Sequence, residues 1–356
     1  MHSIKKRSFI GVYALSLLLF SVFPLTEAAG WEGVLQWSYD AQAGVSGSPA
    51  LAGDKILIGD ETGKLHALDK NTGRALWIFD TKATINGAPA ILGGNAFVGG
   101  ADGTLFAVSL ATGNVQWNYK TGSSDRYTTG SIWGSPAAGD GKAFFNSTDG
   151  KTYALNASNG RLAWSFDTGR ELRSSPTYSD GLLFVGAYEG LFHALNAKTG
   201  KKEWGGGSGG PIGAAPVVAN GIVYFGSWDG LMQAVRIKGV IPLWKYAAGE
   251  SITTSPAVSG GRLYFGTING KLVALDAASG KPVWEFPVPG GIHSDPVVHQ
   301  GLVFFGSDAG IFFALNAATG AERWRFETGR EIMSSPLVVG GVVYFGSYDG
   351  KVYAFR

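Results

Sequence analysis

The chain has 356 residues, 45% of them hydrophobic, which is enough for one large core or two small ones. It holds 55 glycines without a glycine-every-third period, so a collagen-like chain is excluded, and it has no cysteine, which excludes disulfides and thiolate metal sites. With 29 Lys+Arg against 27 Asp+Glu the formal charge is +2, which argues against a nucleic-acid partner, because phosphate neutralisation needs a basic face.

Residues 1–29 read as a secretory signal peptide. Lys5, Lys6 and Arg7 form a basic start, an apolar run follows from Phe9 to Leu25, and Thr26-Glu27-Ala28 or Ala28-Ala29-Gly30 supplies small residues for cleavage near 28–30. Losing these residues removes three positive charges and one negative, leaving a mature chain of net charge 0. The apolar run is short for a membrane span, and no later segment has 18 uninterrupted apolar residues, so no transmembrane segment is expected after removal. No cysteine is available for lipidation. A periplasmic or secreted, unlipidated protein is expected.

From Trp31 onward the sequence repeats. Tryptophans fall at Trp37, Trp77, Trp117, Trp164, Trp204, Trp244, Trp284 and Trp324, every interval being 40 residues except the 47 between Trp117 and Trp164. A proline follows each Trp by 12 residues, from Pro49 to Pro336, except Pro136, which follows by 19. A glycine then closes a two-residue turn in all eight units, from Gly63 to Gly350, and four residues later comes an alanine.

One unit reads as four strands: the stretch after Ser255-Pro256, then Leu263-Tyr264-Phe265-Gly266, Leu272-Val273-Ala274-Leu275 and Val283-Trp284-Glu285-Phe286. The Asn269-Gly270 turn joins the second strand to the third and suits positive φ. Four short antiparallel strands per 40 residues make one propeller blade. The last unit stops at Phe355-Arg356 after its third strand, and Leu35-Gln36-Trp37-Ser38-Tyr39 is an orphan fourth strand at the start. Pairing the two removes exposed edges. The expectation is an all-β chain, a closed eight-bladed β-propeller spanning 31–356 as one domain, its N-terminal strand completing the last blade.

The run Ala274-Leu275-Asp276-Ala277-Ala278-Ser279-Gly280-Lys281-Pro282-Val283-Trp284, echoed from Ala314 to Trp324, resembles the repeat of the pyrroloquinoline-quinone (PQQ) propeller family. The resemblance covers essentially the whole mature chain and implies that the repeated Trp docks between neighbouring blades, one large ring supplying apolar area at each interface. The unit from Gln233 to Trp244 departs from the pattern, with Gly239 shifted and Pro242 added, so an altered turn is expected there. The chain is also similar to the BamB-like outer-membrane assembly propellers, which are eight-bladed, non-catalytic and dock a membrane-protein partner through rim loops. Leu172-Arg173-Ser174 is the stretch that carries this second likeness.

Candidate chemistry lies in the loops that lead into each inner strand, on the face shared with the second-to-third-strand turns. In chain order, the seven-residue insertion brings Asp125, Arg126, Tyr127 and Trp133; the next loops bring Arg170, Glu171 and Arg173; a turn brings Trp228; later loops bring His293 and Asp295, then Arg330 and Glu331. Aromatics and arginines on one rim suit a recognition surface, and a mouth centred on Arg126, Tyr127, Arg170, Arg173 and Arg330 is expected. His293 and Asp295 form the one acid–base-like pair. No metal site is expected from the five histidines, and no Gly-x-Ser-x-Gly elbow, Walker loop or zinc spacing occurs. The resulting expectation is a non-catalytic scaffold, monomeric within a larger assembly, whose mouth holds a protein, peptide or envelope polymer in outer-membrane protein assembly, with no cofactor. One alternative is a small PQQ- and Ca²⁺-dependent alcohol or sugar dehydrogenase. A second is a polysaccharide-binding or lyase propeller.

Overall fold

A computed structural model describes residues 31–122 and 130–356, so the proposed signal segment lies outside the described residues. Every regular element described is a strand, and the strands form eight four-stranded antiparallel sheets arranged as an eight-bladed β-propeller. Blade 1 comprises Ala50–Ala52, Lys55–Gly59, Lys64–Asp69 and Ala75–Asp80. Blades 2 to 7 follow in chain order, and the eighth sheet holds Leu337–Val339, Val342–Gly346, Lys351–Phe355 and, outermost, Leu35–Asp40. In that sheet Trp37 stands opposite Ala354 and Tyr39 opposite Val352.

Period-2 patterning explains the layers. The second and third strands of each blade are buried on both faces and read as apolar runs such as Val342–Gly346, whereas the fourth strands alternate, as in Glu322–Glu327. The core therefore lies between blades. Across the interface of blades 7 and 8, Phe312 stacks on Phe345 with centroids 4.0 Å apart. A bulge recurs where the third strand's alanine faces the tryptophan, for example at Ala274 opposite Trp284, and turns the indole toward the neighbouring blade.

That indole lies flat on the glycine of the next blade's third-to-fourth turn. A Cβ on Gly73 would sit 2.5 Å from the Trp37 ring, and one on Gly280 would sit 2.6 Å from Trp244. The indole N–H then donates to a carbonyl of the same turn, Trp37 to Lys70 at 3.1 Å and Trp284 to Ala317 at 3.1 Å. Trp77, Trp117, Trp164 and Trp244 make the same bond. Trp324 packs on Gly33, and its equivalent acceptor would be residue 30, outside the described residues. Trp204 meets the altered turn: Val240 holds the left-handed conformation (φ 51°) where other blades have glycine, and the strand after it lengthens to Ile241–Ala247.

Candidate functional site

One repeated hydrogen bond builds the mouth. In each blade the second-to-third turn donates a backbone N–H to the lead-in loop, as in Glu61 to Gly44 O (3.0 Å), Trp228 to Pro211 O (2.8 Å) and Asp308 to Gly291 O (2.9 Å). Both loop sets are thereby fixed on one face, and their variable side chains face solvent together.

On blades 3 to 5 these side chains interlock. The Arg173 guanidinium lies 5.9 Å from the Trp133 ring centre and 5.6 Å from that of Tyr188. Glu171 holds it in place through a 3.1 Å bond from the Arg173 Nε. Tyr188 packs edge-on against Trp228 at 5.2 Å, and Arg170 reaches Glu189 at 3.6 Å. Trp133 and Trp228 remain 44% and 38% exposed, so much of two large rings stays open to a partner.

Arg330 stacks over Tyr348 at 5.9 Å and pairs with Glu331 at 3.4 Å, but on blade 8, across the ring from Arg170 and Arg173 on blade 4. The fold does not gather these arginines into one centre, because their loops belong to opposite blades. Asp125, Arg126 and Tyr127 lie outside the described residues.

His293 and Asp295 also part company. His293 donates from Nδ1 to Asp308 (3.0 Å), a residue the sequence reading did not single out, and borders a cavity of about 210 Å³ with Gly213, Trp228, Ser251, Thr253 and Ile268. Asp295 instead turns toward the axis. The residue before each strand-one proline forms an axial ring, in which the N–H of one blade donates to the side chain of the next: Ala88 to Ser135 (2.8 Å), Ser135 to Ser175 (2.8 Å), Ala215 to Ser255 (3.0 Å), Ser255 to Asp295 (2.7 Å), Asp295 to Ser335 (3.0 Å) and Ser335 to Ser48 (2.9 Å). Ser48 and Ser175 lack this link because the next residues in the ring, Ala88 and Ala215, carry no side-chain oxygen. Asp295 is half-buried along the axial cavity; desolvation there pushes its carboxyl up to about 6, against the bonds from Ser255 and Ser335.

Beneath the mouth, the third residue of the third strand is a histidine in blades 1 and 4. In blade 1, His66 Nε2 donates to Asp60 (2.9 Å) while Nδ1 faces the Tyr39 hydroxyl (3.2 Å). Burial raises the Asp60 carboxyl, but bonds from His66, Lys64 and Thr62 outweigh it and hold the group below its ordinary value. In blade 4 the equivalent partners are Ala187 and Phe166, so neither nitrogen of the buried His193 finds a protein partner among the described residues, and burial pushes its imidazole down to about 4.

The quinone–calcium alternative needs a set of oxygen donors, since Ca²⁺ takes six to eight. No group of three His, Asp or Glu side chains able to hold a metal gathers among the described residues, and the one axial carboxylate already accepts the Ser255 N–H.

Known structures share this fold. The chain overlays BamB from Moraxella catarrhalis with a TM-score of 0.78 at 19% identity, covering 91% of this chain and 99% of that one. It overlays the computationally designed Ika8 protein equally well, at 18% identity over 92% of this chain and 100% of that one. Quinohemoprotein alcohol dehydrogenase from Comamonas testosteroni gives 0.78 at 16% identity, over 91% of this chain and 76% of that one. At such identities these likenesses speak for the fold alone. No curated protein matches. The family model described as outer membrane protein assembly factor BamB matches residues 27–168, 159–254 and 242–356. The chain belongs to the BamB-like family of PQQ-type propellers.

Proposed function

We propose that this protein is a non-catalytic scaffold of the cell envelope, periplasmic or secreted, that holds a polypeptide partner in its mouth during outer-membrane protein assembly. One observation carries the reading: the Arg173 guanidinium, held by Glu171 between the exposed Trp133 ring and the half-buried Tyr188 ring. An arginine already fixed among aromatic rings loses little freedom when a partner covers it, which is the usual make-up of a binding hot spot. Membership in the BamB-like family supports the same reading. The dehydrogenase alternative rests on fold likeness alone, and function is set by the site rather than the fold.

The test is affinity capture from envelope extract with the wild-type protein and with an Arg173→Glu, Trp133→Ala double variant. The wild type is expected to recover an outer-membrane assembly protein that the double variant loses. Equal recovery of the same partner by both would sink the mouth assignment.

A further inference from the structure

The Trp133–Arg173–Tyr188 cluster shows how this mouth handles a guanidinium, and one aromatic ring of the same surface lacks its cation. Trp228 is 38% exposed, and no arginine or lysine of the described residues stands over it. One edge of the indole lies against Gly213 of the facing loop, where a Cβ would lie 2.6 Å from the indole Nε1. Behind it opens the cavity of about 210 Å³, floored by Thr253 and Ser251 and walled by Ile268, itself 45% exposed, and His293.

The loops and turns that frame this cavity carry charges of one sign, with the Arg173 guanidinium beyond Tyr188 on the neighbouring blade. The framing loops and turns (207–215, 227–230, 247–254, 267–270, 287–294 and 307–310) carry Asp229, Glu250 and Asp308 and contain no lysine or arginine. The lysine that follows one of these turns, Lys271, is already paired with Glu285 at 3.2 Å. His293 is tied to Asp308, which fixes its ring at the cavity wall. Apolar walls with an open indole, on loops and turns that carry carboxylates, match a side chain with a hydrocarbon stem and a planar cationic head.

We propose that this cavity takes an arginine side chain presented by the partner polypeptide, its guanidinium over Trp228 and within reach of Asp308. The inference rests on reading the mouth as a polypeptide-binding surface, and it names the chemistry that surface selects. Recognition would then be two-sided, with the protein's own Arg173 cluster offered on blades 3 and 4 and the partner's arginine received on blades 5 to 7.

The probes are a capped Gly-Ser-Arg-Ser-Gly peptide and its citrulline counterpart, identical in shape but uncharged, titrated into the full protein while the Trp228 indole N–H resonance is followed. That resonance is assigned as the one missing from Trp228→Leu. The arginine peptide is expected to shift it and to bind roughly tenfold tighter than the citrulline peptide, and Asp308→Asn is expected to remove most of that preference. Equal binding of the two peptides, or arginine binding that leaves Trp228 unmoved, overturns the proposal. Should Trp228→Leu fold poorly, Ile268→Ala supplies a second variant, expected to weaken both peptides. Partner capture that depends on Arg173 while the peptides show no preference would remove the arginine cavity and leave the mouth intact. The converse result would remove the assembly reading and leave the cavity.

Discussion

Asp295 and His193 titrate across nearly the same pH window and pull stability in opposite directions. Asp295 moves from an ordinary value of 3.8 to about 6 in the fold, so between those values the native state holds the extra proton, and stability rises as pH falls from 6 toward 4. His193 moves from 6.5 to about 4, so the unfolded state holds the extra proton, and stability falls as pH drops from 6.5 toward 4. At about 1.4 kcal/mol per pH unit, each gap is worth about 3 kcal/mol, trimmed to about 2 for Asp295, which keeps some solvent-exposed surface, whereas both ring nitrogens of His193 are sealed from solvent. The two effects nearly cancel in the wild type, and single variants expose them.

Asp295→Ser installs the residue found elsewhere in the axial ring and keeps an acceptor for the Ser255 N–H. It is expected to exceed the wild type by about 2–3 kcal/mol at pH 7 and to lose about two-thirds of that advantage by pH 4.5. His193→Phe should show the reverse trend, with a gain larger at pH 4.5 than at pH 7. Urea unfolding followed by circular dichroism at pH 4.5, 5.5 and 7 on the three proteins reads both slopes, and all other groups drop out of the differences. An Asp295→Ser advantage that stays constant with pH would refute the linkage argument.

Three further outcomes follow from the geometry. Val240→Gly relieves a β-branched residue held at φ 51°; after the entropy of the added glycine it should stabilise by about 0.5–1 kcal/mol in the same assay. Gly73→Ala, whose Cβ would strike the Trp37 ring, should cost about 2–4 kcal/mol, whereas Gly53→Ala, equally left-handed at φ 63° but with nothing within 4 Å, should cost about 1; similar losses would deny the docking its energetic role. Ala215→Ser returns an acceptor to the Ser175 N–H and should add about 1 kcal/mol and slow exchange of that amide; unchanged exchange would mean that the link did not form.

Blade number and strand order were legible because tryptophan, proline, glycine and alanine recur at fixed spacing, and each marks a backbone event. The altered turn before Trp244 was legible for the same reason: a glycine one place off its repeat position leaves Val240 in the left-handed conformation. Pairwise chemistry between loops was harder to read. Two residues apart, His293 and Asp295 looked like partners, but one side chain faces the mouth and the other the axis. The signal was present in the five serines that share Asp295's repeat position, although serine before proline does not by itself announce a ring. Arg170 and Arg330 looked like neighbours because their loops are alike, and the ring then set them on opposite blades. The partnerless His193 was readable by aligning Ala187 and Phe166 with Asp60 and Tyr39.

The two alanines of the axial ring interrupt its hydrogen bonds at two places. Blades 2, 3 and 4 are hooped together through Ser135 and Ser175, and blades 5 through 1 through Ser255, Asp295, Ser335 and Ser48, with a seam at blades 4 and 5 and another at blades 1 and 2. The Arg173 cluster stands on the three-blade arc and the Trp228 cavity on the five-blade arc, and Tyr188 against Trp228 is the rim contact that crosses the first seam. A partner that covers both the Arg173 cluster and the Trp228 cavity would bridge a point where the axial hydrogen-bond ring is interrupted.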